Sequence, residues 1–283
     1  SNFGEDQTIN ISKMKRIFLS LLLVAVSVNI SAQEAADKKF QAGLVAGFGM
    51  NFQKMETKKL ESNGVGTDLT IGANVNIGLT ETIGFTTGAE FDFETLKYRA
   101  STEPIYYDYV DIKILQDEES DPNSQLFQMS TRKQKPVYLT IPTMMLFRTN
   151  YIGYFRYFGK FGLRSSFLLS NKINDEGFNF DPNNLATGTA TAGTNENMSA
   201  SGEMFFFKSA VGAAAGAEWN FTGTTCLVAE LGFYHGFTPL YLNRDSEKTN
   251  MYTSGLNNGT GNDLKFSNQA KQSQLMLKVS ILF

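Results

Sequence analysis

Three acidic residues occupy alternate positions in the segment IGFTTGAEFDFET: Glu90, Asp92 and Glu94. A row of carboxylates suits either general acid–base chemistry or pairing with cations. Every second side chain of a strand points to the same face, so the three would share one side of a sheet. Further charged residues take one side of other alternating segments: Arg156, Lys160, Arg164, Lys208, Glu218, Glu230 and Lys278. We therefore expect a network of ion pairs on one face of the sheet.

The chain holds one histidine, His235, and one cysteine, Cys226. These counts exclude an intrachain disulfide, a cysteine-based metal cluster and a multi-histidine metal site. His235 shares strand parity with Leu231 and Phe233, which predicts an outward-facing histidine. An acyl hydrolase of the lipid-A deacylase type would need a serine two residues later, where Phe237 stands. We expect no catalytic residues, no metal site and no cofactor.

An oxygen-rich stretch, NDEGFNFDPNN, contains Asp175, Glu176 and Asp181. Calcium is bound by carboxylate and carbonyl oxygens, so this stretch is a candidate calcium loop. The full spacing of an EF-hand loop is absent, however. A solvated loop is the favoured interpretation.

The elements that position these residues are alternating strands. In FQAGLVAGFGMNFQ every second residue from Phe40 to Phe52 is apolar. This period of two predicts a strand with one apolar face. The predicted strands span residues 40–53, 69–79, 83–95, 137–147, 155–169, 205–221, 227–237 and 275–283. Within the fourth, Pro142 interrupts the alternation and leaves the register after it open.

Short and long connections alternate strictly between these eight segments. The short ones span 80–82, 148–154 and 222–224, and the long ones span 54–68, 96–136, 170–204 and 238–274. This asymmetry is typical of a transmembrane antiparallel β-barrel with short periplasmic turns and long extracellular loops. The apolar face would contact lipid and the charged face would fill the lumen, with Glu230 pairing with Lys278. A soluble barrel is the alternative, but it would place its apolar face inside.

A ten-stranded barrel stays open as a second alternative. The segment IYYDYVDIKIL, residues 105–115, has β character of its own and lies within a long connection. Its acidic residues would be unfavourable against lipid. We therefore predict that it belongs to an extracellular extension of the third and fourth strands.

The N-terminal region carries the features of an export signal. Residues 14–32, MKRIFLSLLLVAVSVNISA, combine a basic start, an apolar stretch and small residues at the end. This pattern predicts a signal peptide cleaved after about Ala32. A membrane anchor is the alternative, but the apolar run is short for a membrane span. We expect residues 1–13 to lie outside the mature protein and residues 33–283 to form the barrel domain.

With these features in place, the chain resembles the outer-membrane β-barrel proteins common in Bacteroidota, the porin-like family that includes PorT of the type IX secretion apparatus. YLTIPTMMLF resembles that family's fourth strand, FGKFGLRSSFLLSNK the next, and AELGFYHGFTPL the seventh. Thr143 and Met144 stand where the family more often has leucines. The resemblance implies an outer-membrane protein of a Gram-negative bacterium. The long loops and the filled lumen favour a non-enzymatic protein with a structural, surface-interaction or secretion-associated role. The alternatives are a small-solute porin, which the family name implies, and an outer-membrane enzyme, which the missing triad disfavours.

The last predicted strand ends on Phe283, after alternating apolar residues. A terminal aromatic residue of this kind resembles the signal recognised by the barrel-assembly machinery, so we expect Phe283 to act as an assembly signal. The expected partners are the lipid bilayer, lipopolysaccharide, that machinery and other envelope or secretion proteins. A net charge of −3 provides no basic surface for nucleic acid.

Overall fold

The fold is described from a computed structural model. The structure describes residues 39–115, 121–180, 190–200, 203–222, 225–242, 251–253, 264–265 and 268–283. The predicted signal peptide, its cleavage after Ala32 and the candidate ligand Asp181 lie outside the described residues. Within the described ranges there is no helix long and apolar enough to cross a membrane.

Fifteen β-strands occur in the described residues and join in one sheet. Eight of them form a closed ring: β1 (Phe40–Met55), β3 (Gly66–Gly78), β4 (Ile83–Glu94), β8 (Gln125–Arg148), β9 (Phe155–Phe180), β11 (Phe207–Thr222), β12 (Thr225–Gly236) and β15 (Ala270–Leu282). The other seven are shorter: β2 (Leu60–Ser62), β5 (Leu96–Ala100), β6 (Ile105–Val110), β7 (Lys113–Ile114), β10 (Thr191–Met198), β13 (Tyr252–Thr253) and β14 (Leu264–Lys265).

The ring is antiparallel throughout and closes where β1 pairs with β15. That pairing runs without a register shift from Gly43 opposite Leu282 to Met55 opposite Ala270. Closure gives every ring strand a neighbour on both sides, as a β structure within lipid requires. The predicted eight-stranded antiparallel barrel is confirmed, and β6, from the candidate extra segment, lies outside the ring.

Side chains of the ring strands alternate between the outside and the interior. The outward residues form a continuous exposed surface, the apolar belt, which includes Leu44, Phe48, Leu69, Ile71, Phe161, Leu163, Leu231, Phe233, Leu277 and Val279. Near the short turns, Phe155 stacks on Trp219. Toward the long connections, Phe167 packs against Phe207. A belt of this kind with aromatic residues at both ends suits the hydrocarbon layer of a bilayer.

The alternation continues through Pro142. The register between β4 and β8 is the same on both sides of this proline. The irregularity lies earlier, between Val137 and Tyr138, where β8 shifts register against β9. The extra residue of that bulge is Leu169 of β9. β8 itself alternates without interruption from Arg132 to Leu146, and this settles the register that the sequence left open. Met144 consequently faces the interior and is buried, whereas Met145 faces outward and is 38% exposed.

The long connections contain β structure beyond the belt. β8 and β9 continue past the belt and pair as far as Leu126 and Phe180. β5 and β6 pair with this part of β8, and β10 pairs with β9. We call these segments, together with β2 and β7, the β extension. Residues 105–115 belong to it as predicted, but it includes the fifth ring strand as well as the third and fourth.

Phe283 follows the last residue of β15. Its backbone N–H donates a hydrogen bond to the carbonyl oxygen of Ala42 at 2.8 Å. Its side chain faces outward and is 48% exposed. The role of Phe283 as an assembly signal stays a prediction.

Candidate functional site

The interior of the ring is filled with charged side chains. Strands β4, β9, β11, β12 and β15 all contribute to it, because their inward positions carry the charged residues of the alternating pattern. The structure places inside the ring, and buries, all ten residues assigned there from the sequence: Glu90, Asp92, Glu94, Arg156, Lys160, Arg164, Lys208, Glu218, Glu230 and Lys278. We call this set the lumen charge network.

The middle of the network is organised around Glu90. One guanidinium nitrogen of Arg164 donates to Glu90 at 2.8 Å and to the two carboxylate oxygens of Asp92 at 3.1 and 2.9 Å. Lys278 Nζ lies 2.7 Å from both carboxylate oxygens of Glu90. Two threonine hydroxyls also donate to Asp92. Each buried charge in this layer is therefore paired with an opposite one.

Toward the short turns the network has two further groups. Glu218 accepts hydrogen bonds from Arg156 Nε at 2.8 Å and from Arg148 Nε at 3.1 Å. Lys160 Nζ lies 2.5 Å from a carboxylate oxygen of Glu230. These contacts close the short-turn half of the lumen with charged side chains.

Toward the long connections, amides join the ionic groups. Lys208 Nζ lies 2.6 Å from Glu94 and 2.9 Å from the side-chain oxygen of Gln272. The side-chain nitrogen of Gln274 donates to Glu94 at 2.8 Å and to Asp68 at 3.0 Å. The interior thus stays polar and hydrogen-bonded up to the mouth of the ring.

Asp68 and Arg148 belong to this interior and were missed by sequence analysis. Asp68 was assigned to the long connection before the second strand, and Arg148 to a short turn. Their strand parity was the available signal, since each continues the inward phase of the adjoining strand. The ten predicted residues comprise five carboxylates and five cations, so one more of each sign makes six and six. The interior is therefore neutral when all twelve are ionised.

The expected pairing of Glu230 with Lys278 does not form. These residues lie directly opposite each other in the β12–β15 register. Lys278 instead binds Glu90, three strands away around the ring, and Glu230 binds Lys160, two strands away. Long side chains reach across a narrow lumen, so adjacency in the sheet does not decide which charges pair.

Three carboxylates converge in a way that would suit a cation. Oxygens of Asp68, Asp92 and Glu94 lie within 4.8 Å of one another. Arg164 and Lys208 already contact two of these carboxylates, so the chain supplies its own compensating charge. A cavity of about 10 Å³ lined in part by Arg164 and Lys208 has room for roughly one water molecule. The arrangement suits a packed interior better than acid–base chemistry on a substrate.

A second buried ionic cluster lies in the β extension. Arg132 binds Asp175 at 2.7 Å and Glu203 at 3.1 Å, and all three side chains are nearly inaccessible. The Tyr98 hydroxyl donates to Glu203 at 2.9 Å. Burial raises the pKa of the Tyr98 hydroxyl well above its ordinary value, so it stays a donor at physiological pH.

The solvated loop expected around Asp175 is a strand instead. Asp175 lies in β9, where it is buried against Arg132, and Glu176 faces outward and accepts a hydrogen bond from Thr131 at 3.3 Å. A carboxylate already paired with a guanidinium is a poor calcium ligand. Sequence analysis missed this strand because ionic residues take the inward positions that would otherwise be apolar.

A hydrophobic core covers the ionic cluster of the β extension. Its buried members come from several strands and connections, and include Leu60, Leu96, Tyr98, Ile105, Tyr107, Phe127, Met129, Ile173, Met198, Met204, Leu240, Tyr241 and Met251. Tyr138 of the barrel wall belongs to the same core. The β extension is therefore a packed body continuous with the barrel.

His235 and Cys226 have separate environments. His235 is exposed on the outer face, and its Nδ1 lies 2.9 Å from the hydroxyl of Ser273 on the neighbouring strand. Within the described residues no carboxylate contacts its other ring nitrogen, so the acid of a catalytic triad is missing there. Cys226 is buried and unpaired, at the short-turn end of β12.

Partner choice in the network is testable by double-mutant cycles. Glu90→Gln should lower the free energy of unfolding by about 3–5 kcal/mol, because it leaves buried cations uncompensated. Adding Lys278→Met should recover part of that loss. The matched cycle of Glu230→Gln with Lys278→Met should show a smaller coupling energy, measured by urea titration in lipid vesicles. Equal coupling in the two cycles would contradict the partners assigned here.

Comparisons with known proteins agree with this architecture. Residues 31–242 match the family described as outer membrane protein beta-barrel domain. Among proteins of curated function no match was found.

Several solved structures are distantly similar. They include the attachment invasion locus protein Ail of Yersinia pestis, with 12% identity, a TM-score of 0.32 and coverage of 87% of this chain and 100% of that one. OprG from Pseudomonas aeruginosa has 8% identity, a TM-score of 0.42 and coverage of 88% and 98%. The outer membrane protease OmpT from Escherichia coli has 9% identity, a TM-score of 0.30 and coverage of 89% and 98%. The family match extends over well more than half of the chain, which is therefore a member of the outer membrane protein β-barrel domain family.

Proposed function

We propose that this protein is a closed, non-conducting barrel of the Gram-negative outer membrane that acts through its extracellular β extension. Its role is structural, surface-interacting or secretion-associated, and it has no enzymatic activity. The observation that carries this proposal is the lumen charge network, which fills the ring with paired charges. The proposal includes export by the signal peptide at residues 14–32.

The lumen offers little space to a solute. The interior of an eight-stranded barrel is just wide enough for side chains to fill. Here long charged side chains occupy the middle and both ends of that interior. A solute passing through the lumen would have to separate several ion pairs, and the separated side chains would have no other charges to pair with. The filled lumen therefore supports a role outside the lumen.

The β extension is the part of the protein best suited to such a role. It combines a hydrophobic core with the buried cluster around Arg132, so its outer surface is held in a defined shape. A preorganised surface loses less conformational entropy when a partner binds than a flexible loop does. This supports contact with other envelope or secretion proteins at the long-connection end.

The closer relationship to PorT-like proteins of Bacteroidota is part of this proposal. The segment YLTIPTMMLF supports it, because it resembles the fourth strand of that family. A secretion-associated role would follow from that relationship. Isolation of the protein from native membranes with its neighbours would identify the partner.

Planar-bilayer recording tests the closed lumen. We expect the unmodified protein to show no large, stable conductance steps. The double variant Glu90→Ser with Lys278→Ser removes both members of a central ion pair, so its conductance should rise above that of the unmodified protein. A large stable pore in the unmodified protein would contradict the proposal and favour the small-solute channel.

Limited proteolysis tests the rigid β extension. Arg132→Met leaves Asp175 and Glu203 buried without their cation, which should destabilise the extension by about 3–5 kcal/mol. We expect faster cleavage within residues 96–136 and 170–204, while the barrel keeps its heat-modifiable gel mobility.

The matched control for that experiment is Arg99→Met. Arg99 forms an exposed ion pair with Glu61 in the same extension, with side-chain exposures of 52% and 46%. Exposed pairs contribute little to stability, so its cleavage rate should match that of the unmodified protein. Equal protection of all three proteins would show that the ionic cluster does not hold the extension together.

A further inference from the structure

We propose that four lysines on the outer face of the β extension bind phosphate groups of lipid headgroups in the outer leaflet. They form the lysine patch: Lys97, Lys133, Lys135 and Lys172. This inference rests on the outer-membrane location but not on the closed lumen. Its failure would therefore leave the conductance result unaffected.

The sheet register brings these four lysines together. Lys97 of β5 lies directly opposite Lys133 of β8, and Lys135 of β8 lies directly opposite Lys172 of β9. Adjacent strands are about 4.8 Å apart, and residues two apart along a strand are separated by about 6.7 Å. The four side chains therefore start from an area of about 10 by 7 Å, which is small enough for one phosphorylated headgroup to reach all of them.

The lysine patch is continuous with the apolar belt. Along β8 the outward residues change from Leu139 and Val137 to Lys135. Along β9 the outward apolar residues of the belt end at Leu169, which is 55% exposed, and Lys172 follows in an exposed position. The lysines thus begin where the hydrocarbon-facing surface ends. Lipid phosphates lie at this height in a bilayer.

The lysine patch lacks compensating charge from the chain. Within the described residues no carboxylate lies within ion-pair distance of these four lysines. Other exposed cations of the same region are paired, such as Lys59 with Glu103 and Arg99 with Glu61, at 3.1 and 3.0 Å. Like charges directly opposite each other destabilise a strand pair. An anion bound between two such pairs on adjoining strands would relieve this repulsion.

A phosphate monoester fits this role better than a single carboxylate. It carries a charge between −1.5 and −2 near neutral pH and offers three acceptor oxygens to ammonium groups. A headgroup anchored in the leaflet also remains at the height of the lysine patch. Charge complementarity and continuity with the apolar belt together favour lipid phosphate as the occupant.

The test uses the full chain refolded into phosphatidylcholine vesicles that contain increasing fractions of diphosphoryl lipid A. The readout is the temperature at which the compact, heat-modifiable form is lost on gels. The test variant is Lys133→Gln with Lys135→Gln. The control, Lys39→Gln with Lys58→Gln, makes the same charge change at exposed positions outside the lysine patch.

We expect lipid A to raise the melting temperature of the unmodified protein and of the control. The test variant should need a fraction of lipid A about 30-fold higher for the same rise, given the usual contribution of two surface lysines. In phosphatidylcholine alone the test variant should be at least as stable as the unmodified protein, because lysine–lysine repulsion is relieved. Lysines with a merely structural role would give a loss of stability instead.

Three outcomes would overturn the proposal. One is an equal response of the test variant and the unmodified protein to diphosphoryl lipid A. Another is equal protection by dephosphorylated lipid A, which would assign the effect to the acyl chains. The third is equal protection by inorganic phosphate in the buffer without lipid A, which would assign the lysine patch to a free anion.

Discussion

Burying many charges inside a narrow ring is the constraint on which the rest of this structure depends. A charge removed from water without a partner costs several kcal/mol, so each carboxylate needs a cation close by. Five of the six carboxylates meet that need here with cations whose side chains cross the lumen, and the sixth, Asp68, accepts a hydrogen bond from Gln274. Gly47 illustrates the space this takes, since a Cβ at that position would lie 2.8 Å from Cγ of Lys278. The small residue leaves Lys278 room to reach Glu90.

The charged interior also explains the surface that the barrel presents. Because the pleat sends alternate residues to opposite faces, strands that place charge inside must place their other residues outside. Those residues are apolar, which suits a bilayer and would be unfavourable in water. The belt ends where outward positions become polar, as at Lys135 on β8. The same alternation therefore sets the packing of the interior and the depth of the protein in the membrane.

Much of the barrel was predictable from the sequence because its signal is local. The period of two marks each ring strand and its inward phase, so the faces of Glu90, Arg164 and Lys278 followed from parity alone. The ion-pair partners did not follow, since contacts across the lumen depend on side-chain reach in the closed ring. Lys278 binds Glu90 rather than its sheet neighbour for this reason.

The β extension was harder to predict, again for physical reasons. Arg132 and Asp175 take inward positions there, so the apolar period that marks a strand is lost. A bulge at Ser130 shifts the inward phase of β8, and a bulge at Leu169 shifts the inward phase of β9. The alternating pattern that predicts the barrel strands therefore fails in the β extension, although β8 and β9 continue into it.

The central claim, a lumen filled by ion pairs that cross it, is tested most directly by solid-state NMR in bilayers. Nitrogen–carbon dipolar recoupling measures the distance from lysine Nζ to a glutamate carboxylate carbon. With Lys278 Nζ 2.7 Å from both Glu90 oxygens, we expect strong dephasing that disappears in Glu90→Gln and persists in Glu230→Gln. Dephasing that is absent from the unmodified protein, or that disappears only in Glu230→Gln, would contradict the account.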